Sequence, residues 1–244
     1  MKLVIAATAF AALVSGTAVA ADLSRPVMKA PAAMPVANWT GCYIGAQGGW
    51  GFGTSKGTLT NAAGLFPAVY DLDIDGGIGG GHIGCQWQSG IWVWGIEGDG
   101  EWSDIKESGL FGPPGNAAGT YTIGTEIRGM GSIRGRLGWA LSGSWLLYGT
   151  GGWAVAGTKT TYAFPGSAPF HTEDQTRSGW TAGAGLEWAF APAWSARAEY
   201  RFTDLGSKSF VDTVSNSADS NKITFHAVRF GLSYHFGGPG AARY

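Results

Sequence analysis

Apolar and polar residues alternate with a period of two in many segments of the chain, the spacing that puts successive side chains on opposite faces of a β-strand. Around Glu97, for example, Trp92, Trp94 and Ile96 share one face, whereas Glu97 and Asp99 share the other. No segment keeps the 3.6-residue apolar period of an amphipathic helix. The pattern therefore predicts an all-β fold.

Eight segments are predicted as strands, and the connections between them alternate between short and long. The strands are predicted at 40–52, 76–88, 91–103, 123–141, 145–157, 178–190, 194–203 and 223–236. The tight turns fall at 88–90, 142–144 and 191–193, and the long, Gly- and Ser-rich loops at 53–75, 104–122, 158–177 and 204–222. Short turns at one end and long loops at the other are typical of outer-membrane barrels, whose long loops face outward. We therefore expect an eight-stranded antiparallel up-and-down transmembrane β-barrel with four long extracellular loops and three short periplasmic turns.

The kind of basic residue indicates which face meets lipid. A soluble sandwich also alternates, but it exposes its charged face and uses lysine freely. The predicted strands contain no lysine, and every basic residue in them is arginine, whose planar fork suits enclosed pairing with carboxylates. We therefore expect the charged face to line the lumen. The predicted lumen charges are Glu97, Asp99, Glu101, Glu126, Glu187 and Glu199, with Arg128, Arg134, Arg136, Arg197, Arg201 and Arg229.

These charges are balanced, and an eight-stranded barrel has an interior just wide enough for side chains to fill. The acids concentrate on the third predicted strand and the bases on its neighbour, so cross-strand ion pairs are expected. We predict a filled lumen in which ion conductance is absent or very small.

A pair of tryptophans flanks each tight turn. The pairs are Trp87 with Trp92, Trp139 with Trp145, and Trp188 with Trp194. Indole settles at the headgroup level of a membrane, so these six predict an aromatic girdle. A second set (Trp50, Trp102, Trp153 and Trp180) lies eight to ten residues away along the strands, which spans about 20–25 Å. The alternative, a soluble β domain with core tryptophans, does not account for their placement beside every turn.

The chain ends and composition fit an exported protein. Lys2, an apolar run and Ala18-Val19-Ala20 predict a signal peptide over 1–20, followed by a Pro-rich periplasmic leader over 21–37. The barrel is predicted over 38–236, with a C-terminal extension over 237–244. The 42 glycines and only 14% charged residues are unusual for a soluble domain, and a net charge of −1 gives no reason to expect a nucleic-acid partner.

Three stretches resemble a porin-like family of small outer-membrane barrels of alphaproteobacteria, the outer-membrane immunogenic proteins. They are the opening Asn38-Trp39-Thr40-Gly41-Cys42-Tyr43-Ile44-Gly45, the strand Trp92-Val93-Trp94-Gly95-Ile96-Glu97-Gly98-Asp99, and the last strand Val228-Arg229-Phe230-Gly231-Leu232-Ser233-Tyr234-His235-Phe236. The resemblance implies a structural or surface-antigen role, in some relatives porin-like or haem-binding, and no catalytic residues. Tyr234-His235-Phe236 also resembles the signal read by the barrel-assembly machinery, although residues 237–244 follow it here.

Cys42 and Cys85 are predicted on adjacent antiparallel strands near the periplasmic end, both facing lipid. They are a possible disulfide, because opposed residues in non-hydrogen-bonded pairs are close enough to bond. The alternative is two small apolar side chains.

Other motifs carry little chemistry. Residues 79–84 match G-x-G-x-x-G without the helix that nucleotide binding requires, and 71–82 start like an EF-hand but end in His82 instead of Glu. For the acidic residues at 71–75, weak binding of a divalent cation at the rim of the barrel remains an alternative. His226 lies on the apolar face without a serine two positions away, which argues against a lipid hydrolase.

The sequence thus predicts a non-enzymatic surface protein of the cell outer membrane that contributes to envelope integrity, with no cofactor or metal. The expected partners are outer-membrane lipid, lipopolysaccharide and, during insertion, the barrel-assembly machinery. A narrow porin-like channel or a surface haem-binding receptor remains the alternative.

Overall fold

The protein forms a closed barrel of eight antiparallel strands, each paired with its neighbours in chain order. The computed structural model describes residues 38–60, 68–111, 121–141, 144–163, 165–212 and 217–236. The strands are β1 (Gly41–Thr60), β2 (Ala68–Ser89), β3 (Trp92–Phe111), β4 (Tyr121–Ala140), β5 (Trp145–Ala163), β6 (Pro169–Ala191), β7 (Trp194–Asp212) and β8 (Ser217–Phe236). The predicted eight-stranded antiparallel barrel is therefore confirmed.

The strands are longer than predicted, and the prediction of four loops of about twenty residues is wrong. Most of each loop segment continues the strands, so that β1 runs to Thr60 and β2 begins at Ala68. The reason lies in the alternation within these segments. On β2, Tyr70, Leu72 and Ile74 point inward and are buried, while the aspartates between them point outward. The many Gly, Ser and Asp residues concealed this second apolar face.

A β-bulge on β4 changes which of its residues face inward. The β3–β4 register shifts between Trp102 and Ile105, and the β4–β5 register shifts between Ile127 and Gly129. A bulge adds one residue and reverses the alternation beyond it. Glu126 and Arg128 consequently lie on the outer face, where Arg128 pairs with Glu126 at 3.2 Å between Nε and Oε1. The prediction that these two residues line the lumen is wrong for this reason.

The wall of the barrel splits into two sheets on the loop side of a ring of tryptophans formed by Trp50, Trp102, Trp153 and Trp180. The β2–β3 ladder ends at Asp75 and Lys106, and the β6–β7 ladder ends at Trp180 and Asp204. The remaining ladders continue farther, for example from β1 to β2 as far as Leu59 and Ala68. Beyond the ring, β7-β8-β1-β2 and β3-β4-β5-β6 therefore form two four-stranded sheets, separated by a seam at β2/β3 and another at β6/β7.

Apolar side chains fill the space between these two sheets. The buried members of this loop-end core are Tyr70, Leu72, Ile74, Ile78, Ile105, Ile123, Ile127, Ala156, Leu205, Ile223, Phe225 and Ala227. The strands continue about ten residues past the ring, which corresponds to about 25 Å along the barrel axis. The result is a packed β-sandwich extension of the barrel.

The outer face carries two aromatic rings. All six turn-flanking tryptophans point outward and are 40–51% exposed. Across the strands, Trp145 stacks on Trp188 with ring centroids 5.7 Å apart, and the tilted rings of Trp92 and Trp139 have centroids 6.0 Å apart. The second ring, called the upper aromatic ring below, lies nearer the loop end. It includes Trp153, which is paired in register with Trp180, and Trp102, which is 80% exposed. The face between the rings is apolar, as the alternation predicts.

Some sequence predictions lie outside the described residues. These are the signal peptide (1–20), the leader (21–37), the extension (237–244) and the two turn residues 142–143. Among the residues that the structure does describe, no helix is long and apolar enough to cross a membrane.

Candidate functional site: a filled lumen

The middle of the lumen is occupied by a buried ion-pair network centred on Arg134. Its Nη2 atom lies 2.5 Å from Oε1 of Glu97 and 3.0 Å from Oδ1 of Asp99, and its Nη1 atom lies 2.9 Å from Oε1 of Glu199. Glu97 also accepts a hydrogen bond from Nη1 of Arg197 at 2.5 Å. Because Glu97 and Arg134 are cross-strand partners on β3 and β4, the ladder itself brings the first pair together.

A second part of the network lies closer to the turn end. Arg136 pairs with Glu187, and its guanidinium carbon lies 3.8 Å from the centroid of the Tyr148 ring. The other carboxylate oxygen of Glu187 accepts a hydrogen bond from Oγ of Ser195 at 2.5 Å. His235 shares that serine, with its Nε2 atom 2.8 Å from Oγ. Each of these four polar side chains thus has at least one partner from another strand.

A third part lies towards the loop end. Arg201 bridges Glu199 at 2.8 Å and Asp99 at 3.1 Å, and Arg229 pairs with Glu101 at 2.9 Å. Gln47 donates to Glu101 at 2.5 Å. Beside these groups lies a void of about 10 Å³, which has room for about one water molecule.

Apolar layers close the lumen on both sides of the network. At the turn end, Trp39 is 1% exposed and packs with Val93, Leu146 and Tyr148. Its backbone N–H donates to Oε1 of Gln88 at 2.8 Å, which fixes the chain across the mouth of the barrel. At the loop end, the apolar core between the two sheets fills the interior. The lumen is therefore packed along its length, and the ion pairs have little contact with water.

Ten of the twelve predicted lumen charges are brought together here, five acids and five bases. They are Glu97, Asp99, Glu101, Glu187, Glu199, Arg134, Arg136, Arg197, Arg201 and Arg229. Equal numbers of opposite charges in a space without solvent favour mutual pairing, since an unpaired buried charge costs several kcal/mol.

The sequence reasoning missed the neutral members of the network. It also missed Trp39, which closes the turn end of the lumen and is called the Trp39 plug below. Tyr43 donates to Glu97 at 2.6 Å, Thr150 accepts from Arg134 at 3.0 Å, and Ser132 donates to Asp99 at 2.7 Å. Each lies on the inward face of its strand, so the same alternation that located the charges was a sufficient signal for them. Trp39 precedes β1, so no strand alternation pointed to it.

Glycines on the inward face make room for the larger members. A side chain at Gly84 would place its Cβ 2.6 Å from the Tyr43 ring, and one at Gly45 would lie 2.4 Å from Nε2 of His82. Such approaches are too close for any residue except glycine, which explains part of the unusual glycine content.

Cys42 and Cys85 are opposite each other in the β1–β2 register and are joined by a disulfide. The bond lies near the turn end on the outer face, where the sequence placed both residues.

His226 lies on the outer face at the level of the upper aromatic ring. Its Nδ1 atom is 2.6 Å from the hydroxyl of Tyr200, and its ring stacks on Phe52 with centroids 5.6 Å apart. Within the described ranges, no group of three or more His, Cys, Asp or Glu side chains is arranged to hold a metal ion. The absence of an enzymatic activity stays a prediction, which unchanged lipid A in mass spectra of overexpressing cells would support.

Comparison with known proteins identifies the family. The profile of the outer membrane protein beta-barrel domain matches residues 8–236. The chain is 36% identical to the 31 kDa outer-membrane immunogenic protein of Brucella melitensis, over 97% of this chain and 100% of that protein. It is 29% identical to a 22 kDa outer membrane protein of Rhizobium leguminosarum, over 83% of this chain and 80% of that protein.

Among solved structures, the outer membrane protein OprG of Pseudomonas aeruginosa superimposes with a TM-score of 0.52 at 11% identity, over 83% of this chain and all of that one. At this identity the likeness concerns the fold alone. The family profile and the immunogenic-protein relatives together place the protein in the outer membrane, and the chain belongs to the outer membrane protein β-barrel family.

Proposed function

We propose that the protein is a structural, non-conducting barrel of the outer membrane that contributes to envelope integrity. The packed lumen carries this proposal. Ion pairs occupy its centre, Trp39 closes the turn end, and the apolar core fills the loop end. A channel would need a continuous wet path, and selective pores commonly use a ring of one charge sign instead of paired opposite charges.

The proposal includes an orientation. The two aromatic rings mark the headgroup levels, so the short turns face the periplasm and the sandwich extension stands outside the cell. Its outer face is polar and carries both charge signs, as in the pair of Lys56 with Asp71 at 2.8 Å. Lipopolysaccharide headgroups are the expected neighbours of this face, and the barrel-assembly machinery is the expected partner of β8 during insertion. Protease accessibility of the extension in intact cells tests the orientation.

A deletion strain tests the function. Loss of the protein should raise uptake of the hydrophobic dye N-phenylnaphthylamine, and the wild-type gene should restore the barrier. The informative variant replaces Arg136 and Glu187 together with Met and Leu, because exchanging a whole buried pair for apolar side chains is often neutral for stability. A structural role predicts full rescue by this variant, provided that it folds.

The alternative functions give different results. A narrow porin would make proteoliposomes swell in small sugars, and the paired replacement would alter that rate. A haem receptor would bind hemin with a saturable affinity in titrations of the purified protein. Either result would contradict the proposal of a purely structural barrel.

A further inference from the structure

The strand edges at the two seams of the sandwich extension differ in character. At the β6/β7 seam, side chains occupy the edge. Nζ of Lys208 donates to the carbonyl of Thr176 at 3.1 Å, and Nη1 of Arg177 reaches the carbonyl of Asn221 at 3.1 Å. Gly206, with a φ of 71°, adds a local irregularity to β7. Lysine side chains and irregular backbone are features that block the addition of another strand.

The β2/β3 seam is closed by apolar contacts instead. The rings of Tyr70 and Phe111 lie with centroids 5.6 Å apart. Leu72 packs against the backbone of Gly109, where a Cβ would lie 2.9 Å from its Cδ2 atom. Within the described part of the chain, residues 71–74 of β2 have ladder partners on β1 but none on β3. An edge of this kind is a template for an added strand.

The charges along this edge indicate what it can accept. Asp71, Asp73 and Asp75 point outward in a row, and Val69 beside them is 74% exposed. Lys56 pairs with Asp71, whose carboxylate accepts its hydrogen bond and raises the pKa of the Lys56 ammonium. A second copy of β2 added here would oppose carboxylates with carboxylates, which is unfavourable. A strand with basic residues on its outward face would instead form cross-strand ion pairs.

We propose that the β2 edge at residues 69–74 binds an extended segment of another protein by strand addition, and that this segment alternates basic and apolar residues. Its basic side chains would lie opposite Asp71 and Asp73, because Asp75 already has Lys106 of β3 as its ladder partner. Its apolar side chains would replace the contacts that Leu72 and Phe111 make across the seam and would cover the loop-end core. The backbone of the segment would pair with the groups of residues 71–74 that face β3.

A binding assay with a defined peptide tests this proposal. The probe is a fluorescent octapeptide of alternating Lys and Val, measured by fluorescence anisotropy against the full chain in zwitterionic nanodiscs, with empty nanodiscs subtracted. The comparison peptide carries N-methyl groups on alternate amides along one edge. It keeps the charge but loses backbone donors, so its affinity should be lower by a factor of about ten or more.

The protein variants test the charge. The double variant Asp71→Asn with Asp73→Asn should weaken binding of the unmodified peptide about fivefold to tenfold. Asp174→Asn, an exposed acid on β6 beside the other seam, is the matched control and should bind as wild type. Heat-modifiable gel mobility checks that each variant is folded. Equal binding of the N-methylated peptide, wild-type affinity of the double variant, or no binding at all would overturn the proposal.

Discussion

Glu97 and Arg134 face each other across the β3–β4 ladder, with 2.5 Å between the carboxylate Oε1 and the guanidinium Nη2. Both side chains are fully buried. The strand register therefore places one ion pair in the lumen, and side chains from neighbouring strands extend the network from this pair. The centre of the lumen is thus specified by strand register as well as by composition.

Removing the central arginine should destabilise the barrel strongly. Arg134→Leu leaves Glu97, Asp99 and Glu199 without one of their cations, and breaking a buried pair costs about 3–5 kcal/mol. Urea unfolding from lipid vesicles, followed by tryptophan fluorescence, measures this loss. Arg128→Gln is the control, since its half-exposed pair with Glu126 should contribute at most about 1 kcal/mol. Equal effects of the two substitutions would show that the network does not hold the fold.

The Trp39 plug should contribute as a core residue although it precedes the first strand. Trp39→Ala removes a fully buried indole from the turn-end layer, with an expected cost of about 3–5 kcal/mol in the same unfolding assay. Trp102→Ala, which is 80% exposed on the outer face, should cost clearly less. If the order of the two effects is reversed, Trp39 does not seal the barrel.

The free-energy cost of a charged residue on the outer face should depend on whether it lies below or beyond the upper aromatic ring. Phe230→Arg places a cation on the outer face between the rings, where a charge costs about 2–4 kcal/mol. Thr224→Arg places the same residue on the same strand and face, but beyond the ring, where about 0–1 kcal/mol is expected. Comparable losses for both variants would place the membrane boundary elsewhere.

The disulfide gives a prediction of its own. The intact mature chain should have a mass about 2 Da below that of the reduced chain, and Cys42→Ser with Cys85→Ser should lower the free energy of unfolding by about 2–4 kcal/mol. Labelling of both cysteines by a maleimide in denaturant without reductant would contradict the bond.

Much of this architecture followed from alternation alone. The strand number, the outward tryptophans and the ten charges of the lumen network were predicted correctly, because a strand with two distinct faces reveals them in its sequence. The failures have physical causes. A bulge at Arg128 reverses the faces of β4, and no residue type marks a bulge reliably.

The strands of the sandwich extension were predicted as loops for a related reason. Its strands alternate apolar with small polar residues such as Asp and Thr, which are also typical of loops. Tyr70, Leu72 and Ile74 belong to a core whose other members, including Ile123 and Phe225, are far away in sequence. Only the pairing of distant strands shows that these segments pack against each other.

The most direct test of the filled lumen is the single-channel current of the purified protein in a planar bilayer, with insertion verified by flotation of matching proteoliposomes. The account predicts no stable conductance steps above the bare-membrane baseline, because ion pairs and the two apolar layers leave no continuous aqueous path. Reproducible unit steps that scale with salt concentration, from folded monomer, would contradict it.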